Sequence, residues 1–241
     1  MSWSRIAFAG LFMLSGGYRK SHASGSATSP SHSASATPRQ VVKPLPNVEV
    51  DEVAAPPQSM VTFKRLMNIE QVCKDAYGNS FMKYPLLAYN GMEEERIPLN
   101  AEVKTPSIAR MFQDAGADER YQPVFNVLGK VVADYHEVLP SYLDQRKAVP
   151  SGGRLDLNGE TRAKLLELAD TLSSACAALG KVDPPHQVPT KAIGQWRQAA
   201  NSLRELSNGV MDENGYDSYM VEQQLGRGLG NAMLWVKAGH H

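Results

Sequence analysis

Residues 120–147 read RYQPVFNVLGKVVADYHEVLPSYLDQRK and form the longest periodic stretch of the chain. Its apolar side chains recur at spacings of three and four, which predicts one face of an α-helix. They are Val124, Val127, Leu128, Val131, Tyr135, Val138, Leu139, Tyr142 and Leu143. We therefore expect the central core helix here. Pro140 removes a backbone hydrogen bond and clashes with the preceding turn, so the sequence also predicts a kink or break near Glu137.

The same spacing recurs on both sides of this stretch and predicts further helices. Five of them are expected at 60–77, 106–114, 160–179, 190–207 and 218–238. A further short helix, broken at Pro85, is expected within 81–96. Asn158 is positioned to cap the helix at 160–179, and Gly180 to end it. Alternation with a period of two is not sustained anywhere. The fold class predicted is all-α, an irregular bundle of about four long helices plus short helices, with a disordered N-terminal tail.

The first residues of the chain resemble a bacterial export signal. Arg5 is followed by an apolar run and then by small residues, and the stretch ends Leu14-Ser15-Gly16-Gly17. That ending resembles a lipobox in which Gly17 stands where the acylated Cys would be. Residues 1–17 are therefore predicted to be an export signal with a degenerate lipobox. Ser21-His22-Ala23 offers the alternative of ordinary signal cleavage after Ala23.

Residues 18–59 are rich in Ser, Ala, Thr, Pro and Gly. Such a segment has too little apolar surface to offset the entropy of ordering it, so it predicts a disordered tether. Its prolines favour extended conformations that hold a domain away from an attachment point. The helical domain is then expected over 60–241.

Charge and apolar content exclude some function classes. Residues 1–58 carry five Lys/Arg and three Asp/Glu, whereas residues 59–241 carry twenty Lys/Arg and twenty-two Asp/Glu. A slightly acidic domain lacks the clustered positive charge that nucleic acid requires, so no nucleic-acid partner is expected. No segment after the leader reaches the length of about 18 apolar residues that a membrane helix needs. Membrane association is expected only through a lipid anchor, if the native residue at position 17 is Cys.

Cys73 and Cys176 are the two cysteines of the chain. An even number in an oxidising compartment is compatible with one disulfide between them. The alternative is two separate buried thiols, because both residues lie on apolar helical stretches.

Two short motifs suggest chemistry that their sequence context does not favour. His136-Glu137 begins like a zinc-protease helix, but Pro140 stands where the second His is required. Residues 226–230, GRGLG, place three glycines inside a helical pattern. They indicate either a hinge or phosphate-contacting turn with Arg227, or the close approach of another helix at Gly226 and Gly230. The second interpretation is preferred, because no strand precedes the glycines. No catalytic, cofactor-binding or metal-binding residues are predicted, and the chain is not expected to be an enzyme.

The second half of the chain resembles the YiiG-like family of bacterial envelope lipoproteins. The resemblance covers roughly the last 130 residues and departs from the family at Gly17 and in its shorter length. It is carried by Tyr135, Tyr142-Leu143-Asp144, Gly153, the segment from Trp196 to Leu206, and Met220-Val221-Glu222. The family has no assigned function. The resemblance implies a helical domain in the periplasm or cell envelope, membrane-tethered in its native form, and carries over no catalytic residue.

Three functional hypotheses follow. The first is an exported helical module that binds a protein partner, as an immunity or accessory protein, with Tyr216, Tyr219 and Trp235 as interface candidates. Trp196 and Trp235 are each better explained as core residues than as interface hot spots. The second is an envelope-acting hydrolase with its site in a cleft between helices. The third is a passive structural spacer.

Overall fold

A computed structural model describes residues 44–47, 60–62, 67–97, 101–149, 154–181, 189–210 and 216–239. The predicted export signal, residues 1–17 with Gly17, lies outside the described residues. So does the predicted tether, residues 18–59, except for 44–47. Gly153 lies outside them as well.

The described chain is mostly helical, as the sequence predicts. Seven α-helices follow one another in this part of the chain: α1 Ile69–Tyr77, α2 Lys83–Asn90, α3 Ile108–Asp114, α4 Gln122–Lys147, α5 Gly159–Leu179, α6 Thr190–Ser207 and α7 Asp217–Lys237. A 3-10 turn, Ser80–Met82, leads into α2. The last four helices are the four long helices expected from the apolar periodicity.

Four short strands form two antiparallel pairs. Strand β1, Met60–Thr62, pairs with β4, Glu102–Lys104, and β2, Met67–Asn68, pairs with β3, Arg96–Ile97. The prediction of helix over 60–77 is therefore wrong at Met60–Thr62 and Met67–Asn68. The helix begins only at Ile69, because the Asn68 side chain accepts a hydrogen bond from the Glu70 amide at 3.1 Å and caps the first turn. It ends as predicted at Gly78, which has a left-handed backbone with φ of 68°.

The predicted break of the helix near Glu137 and the predicted break at Pro85 are both wrong, whereas the alternative of a kink near Glu137 stays a prediction. Helix α4 runs without a break through Pro140. His136, whose carbonyl loses its bond to position 140, and Pro140 itself are both exposed, so solvent can reach the unpaired group. Pro85 lies in the first turn of α2, where the missing amide proton has no partner within the helix in any case.

The long helices pack in chain order, α4 on α5, α5 on α6 and α6 on α7, with α2 on α7 and α3 on α4. Helices α5 and α6 run antiparallel: Cys176 faces Ile193 near one end, and Asp170 faces Arg204 near the other. The Asn158 cap forms as predicted, with its Oδ1 accepting from the Thr161 amide at 2.8 Å. Trp196, fully buried on α6, is the largest of the fully buried side chains, as its predicted core position implies.

Candidate functional site

The three glycines of α7 allow neighbouring elements to approach its backbone closely. A Cβ built at Gly226 would overlap the backbone carbonyl of Phe81, and one built at Gly230 would overlap the Cβ of Tyr84. A Cβ at Gly228 would overlap the indole nitrogen of Trp196. The preferred prediction, close packing at Gly226 and Gly230, is confirmed. We call the contact of Gly226, Gly228 and Gly230 with their neighbours the glycine seam.

On the outer edge of the glycine seam, aromatic rings touch in sequence from α7 to α2. Tyr216 and Tyr219 meet edge to face at 6.0 Å between ring centroids, and Tyr219 meets Phe81 edge to face at 4.8 Å. Phe81 then stacks on Tyr84 at 6.5 Å. Together with Met220 and Arg227, these four rings form what we call the aromatic surface. Because Gly226 brings Phe81 against α7, the seam positions the surface.

Much of this surface is exposed to solvent. The exposed fractions are 55% for Tyr216, 44% for Tyr219 and 40% for Met220. Among the described residues, six large hydrophobic side chains are exposed in all, and three of them lie within five residues at the start of α7. Single exposed apolar side chains are ordinary on protein surfaces, whereas a cluster of them marks a site of contact.

Two cations hold the α2 end of the aromatic surface. The Arg227 guanidinium lies 5.8 Å from the centre of the Tyr84 ring, and the Lys83 ammonium lies 5.5 Å from it. Lys83 is itself buried, and its Nζ contacts Glu70 at 2.5 Å and Glu95 at 2.7 Å. These ion pairs fix the start of α2 to α1 and to the segment before β3. The phosphate-contacting role considered for Arg227 is not needed to explain its position.

Of the three predicted interface candidates, the structure brings two together. Tyr216 and Tyr219 belong to the aromatic surface, whereas Trp235 is partly buried and packs edge to face on Tyr121 at 5.2 Å. Phe81, Tyr84 and Met220 were not identified from the sequence. Phe81 lies on the 3-10 turn and Tyr84 on α2, both more than 130 positions before Tyr219, and no local pattern links them to α7.

Cys73 and Cys176 are both free and buried, so the disulfide considered from the sequence is not formed in the structure. Cys73 lies on α1, and the Cys176 thiol on α5 faces the Ile193 carbonyl at 3.9 Å. Burial raises the pKa of Cys73 to about 12 and that of Cys176 to about 11. Because the thiolate is the reactive form, both behave as small hydrophobic residues.

A groove between α4 and α5 has a volume of about 310 Å³. Its charged side chains include Lys130, which pairs with Asp134 at 3.0 Å, and Lys164, which pairs with Glu160 outside the groove at 2.9 Å.

Helix α7 carries one carboxyl group with an unusual pKa. Burial raises the pKa of Glu222 to about 7, and nearby Lys74 opposes this increase.

Within the described ranges, no group of three or more His, Cys, Asp or Glu side chains is arranged to hold a metal ion. None of the helices described is both long and apolar enough to span a membrane.

Comparisons of the chain with protein-family models, with curated proteins and with solved structures found no match. The resemblance to the YiiG-like family therefore rests on the residues quoted for it and stays a prediction.

Proposed function

We propose that this chain is a protein-binding module whose aromatic surface, at the start of α7, contacts the partner. The single observation that carries the proposal is the exposure of Tyr216, Tyr219 and Met220 within five residues at the start of α7. Tyr, Met and Arg are among the residue types enriched in the centres of protein interfaces.

The rings of the aromatic surface are held in place before any partner arrives. Tyr219 rests on the buried Phe81 ring, and Phe81 is fixed by the glycine seam. Side chains that are already ordered lose little conformational entropy on binding, which favours affinity. A tyrosine that is ordered in this way can contribute on the order of 2 kcal/mol to the free energy of binding, as interface hot spots do.

We place this module in the bacterial envelope, exported by residues 1–17 and separated from its attachment point by residues 18–59. The basis is the sequence pattern of those two segments. Proteins of this kind that lack catalytic motifs include immunity and accessory proteins, so we propose one of these roles by analogy.

Site-specific photo-crosslinking in bacterial cells tests the proposal. The full-length chain would carry benzoylphenylalanine at position 219 or, as the matched control, at position 234. Leu234 is on the same helix, is 59% exposed and lies outside the aromatic surface. We expect a defined protein adduct from position 219 that is absent from position 234. Equal adducts at both positions, or none at 219 in any envelope fraction, would overturn the proposal.

The hydrolase alternative has one observation in its favour. Glu222, with its pKa raised to about 7, could exchange a proton near neutral pH as a general acid or base requires. Its charged neighbour is Lys74, and the nearby Tyr135 hydroxyl donates to the Ser218 carbonyl at 3.0 Å instead of to Glu222. The binding proposal therefore explains more of the surface.

A further inference from the structure

Arg227 is the solvent-exposed cation of the aromatic surface. Its guanidinium lies 5.8 Å from the centre of the half-buried Tyr84 ring, and within the part of the chain that the structure describes no carboxylate forms an ion pair with it. Lys83, the other cation beside Tyr84, is buried and already contacts two carboxylates. We propose, on the basis of the protein-binding function above, that the partner is a different protein whose contacting segment is acidic. An Asp or Glu carboxylate of that segment binds Arg227, and an apolar side chain covers Tyr219 and Met220.

The two carboxyl groups of α7 do not neutralise this cation. Asp217, the first residue of the helix, forms an ion pair with Arg146 on α4 at 3.7 Å. Glu222 has Lys74 on α1 as its charged neighbour. Arg227 therefore gives the aromatic surface a positive charge that a negatively charged partner complements.

The helix register places Arg227 within reach of the same partner that covers the apolar residues. Arg227 follows Met220 by seven positions, so the two lie on the same face of α7, two turns and about 10 Å apart. A stable interface covers about 800 Å² on each partner, a patch roughly 30 Å across. An interface centred on Tyr219 and Met220 therefore includes Arg227. The apolar group and the carboxylate of the partner should also be about 10 Å apart, which is seven positions on a helix or three on an extended strand.

Covering Arg227 favours a partner that supplies a carboxylate. A guanidinium that loses water without gaining an acceptor is costly, whereas its planar array of N–H groups matches the two oxygens of a carboxylate. Contact with the Tyr84 ring attracts the cation but leaves its charge in place. The same contact holds the guanidinium in position before binding, so less conformational entropy is lost when the carboxylate arrives.

The test uses the full-length chain and the protein recovered as the adduct of position 219. Isothermal titration calorimetry would compare the native chain with Arg227→Glu and with Arg197→Glu. Arg197 is the matched control, because it is exposed on α6 and interacts with Cys176 on α5, so the same charge change occurs outside the aromatic surface. We expect Arg227→Glu to weaken binding by about tenfold or more and Arg197→Glu to leave it unchanged. Arg227→Gln should have an intermediate effect, and circular dichroism checks that each variant is folded.

A charge exchange identifies the carboxylate on the partner. Each Asp or Glu of the captured protein within about ten positions of the crosslinked residue would be changed to Lys in turn. We expect one of these changes to restore binding to Arg227→Glu while weakening binding to the native chain. Equal affinities for Arg227→Glu and Arg197→Glu, tighter binding by Arg227→Glu, or no restoring change would overturn the acidic partner and leave the Tyr219 site standing. An adduct with twice the mass of the chain would identify a second copy as the partner and would also overturn it. Absence of any adduct specific to position 219 would overturn both proposals together.

Discussion

Helices α4 and α7 both contain residues that oppose helix formation, and they tolerate them for opposite reasons. Pro140 lies on the exposed side of α4, where solvent can reach the carbonyl that loses its partner. Gly226, Gly228 and Gly230 lie on buried sides of α7, where they leave room for Phe81, Trp196 and Tyr84. The face on which such a residue lies therefore decides its role. On α4 the unfavourable residue is merely tolerated, whereas on α7 it creates the contact that positions the aromatic surface.

The largest effect is expected from Gly226→Ala. The added Cβ would overlap the backbone carbonyl of Phe81, which cannot rotate away as a side chain can. Overpacking costs about 1–3 kcal/mol, and an overlap with backbone lies at the upper end of that range, which exceeds the gain of up to about 1 kcal/mol in helix propensity. We expect a net loss of about 2 kcal/mol in the free energy of unfolding, measured by urea denaturation.

Gly194→Ala is the control for that substitution. Gly194 also lies inside a long helix, but a Cβ there meets no atom within 4 Å. It should therefore stabilise the protein by about 0.5–1 kcal/mol through helix propensity alone. If Gly226→Ala stabilises the protein to the same extent as Gly194→Ala, the glycine seam does not restrict packing.

Pro140→Ala tests the other half of the comparison. The substitution restores the hydrogen bond to the His136 carbonyl and removes the clash with the preceding turn. Part of the benefit is offset because alanine gives the unfolded chain more freedom. We expect thermal and urea denaturation to show a gain of about 1–2 kcal/mol. A loss of stability would mean that α4 requires the geometry that Pro140 imposes.

Glu222 provides a smaller effect that depends on pH. Its pKa is raised to about 7 by burial, whereas a glutamate in the unfolded chain has a pKa of about 4.3. The folded state therefore binds the proton more tightly, and stability should decrease as pH rises from about 4.5 to 7. Lys74 and Tyr135 are the neighbouring titratable groups that interact electrostatically with Glu222.

Glu222→Gln should remove that part of the pH dependence. At pH 8 we expect it to stabilise the protein by about 1 kcal/mol, discounted for partial solvent exposure. Urea denaturation at pH 5 and pH 8 measures the difference for both chains. Equal pH dependence in the two chains would show that another group is responsible.

The apolar periodicity predicted the fold well where packing follows a single helix face. The bounds of α5, α6 and α7 agree with prediction to within one residue, because Asn158 and Gly180 mark the ends of α5 and apolar residues repeat throughout all three. The pairing of Met60–Thr62 with Glu102–Lys104 could not be predicted, since two strands of three residues acquire their partners only in the folded chain. The periodic pattern of residues 60–77 therefore extended the predicted helix too far.

The candidate surface could be predicted only in part. Exposed tyrosines at the start of α7 are visible in the sequence, and Gly226 and Gly230 indicate close packing. That Phe81 is the residue meeting Gly226, and that its ring supports Tyr219, depends on a contact between distant segments. Periodicity within one element carries no information about such a contact.

The most direct measurement of the central claim is the affinity of the full-length chain for the protein captured by crosslinking at position 219. Tyr219→Ala and Leu234→Ala variants would be compared by isothermal titration calorimetry. We predict that Tyr219→Ala weakens binding at least tenfold, while Leu234→Ala leaves the affinity unchanged. Unchanged affinity for Tyr219→Ala in a folded protein would contradict the assignment of the aromatic surface as the binding site.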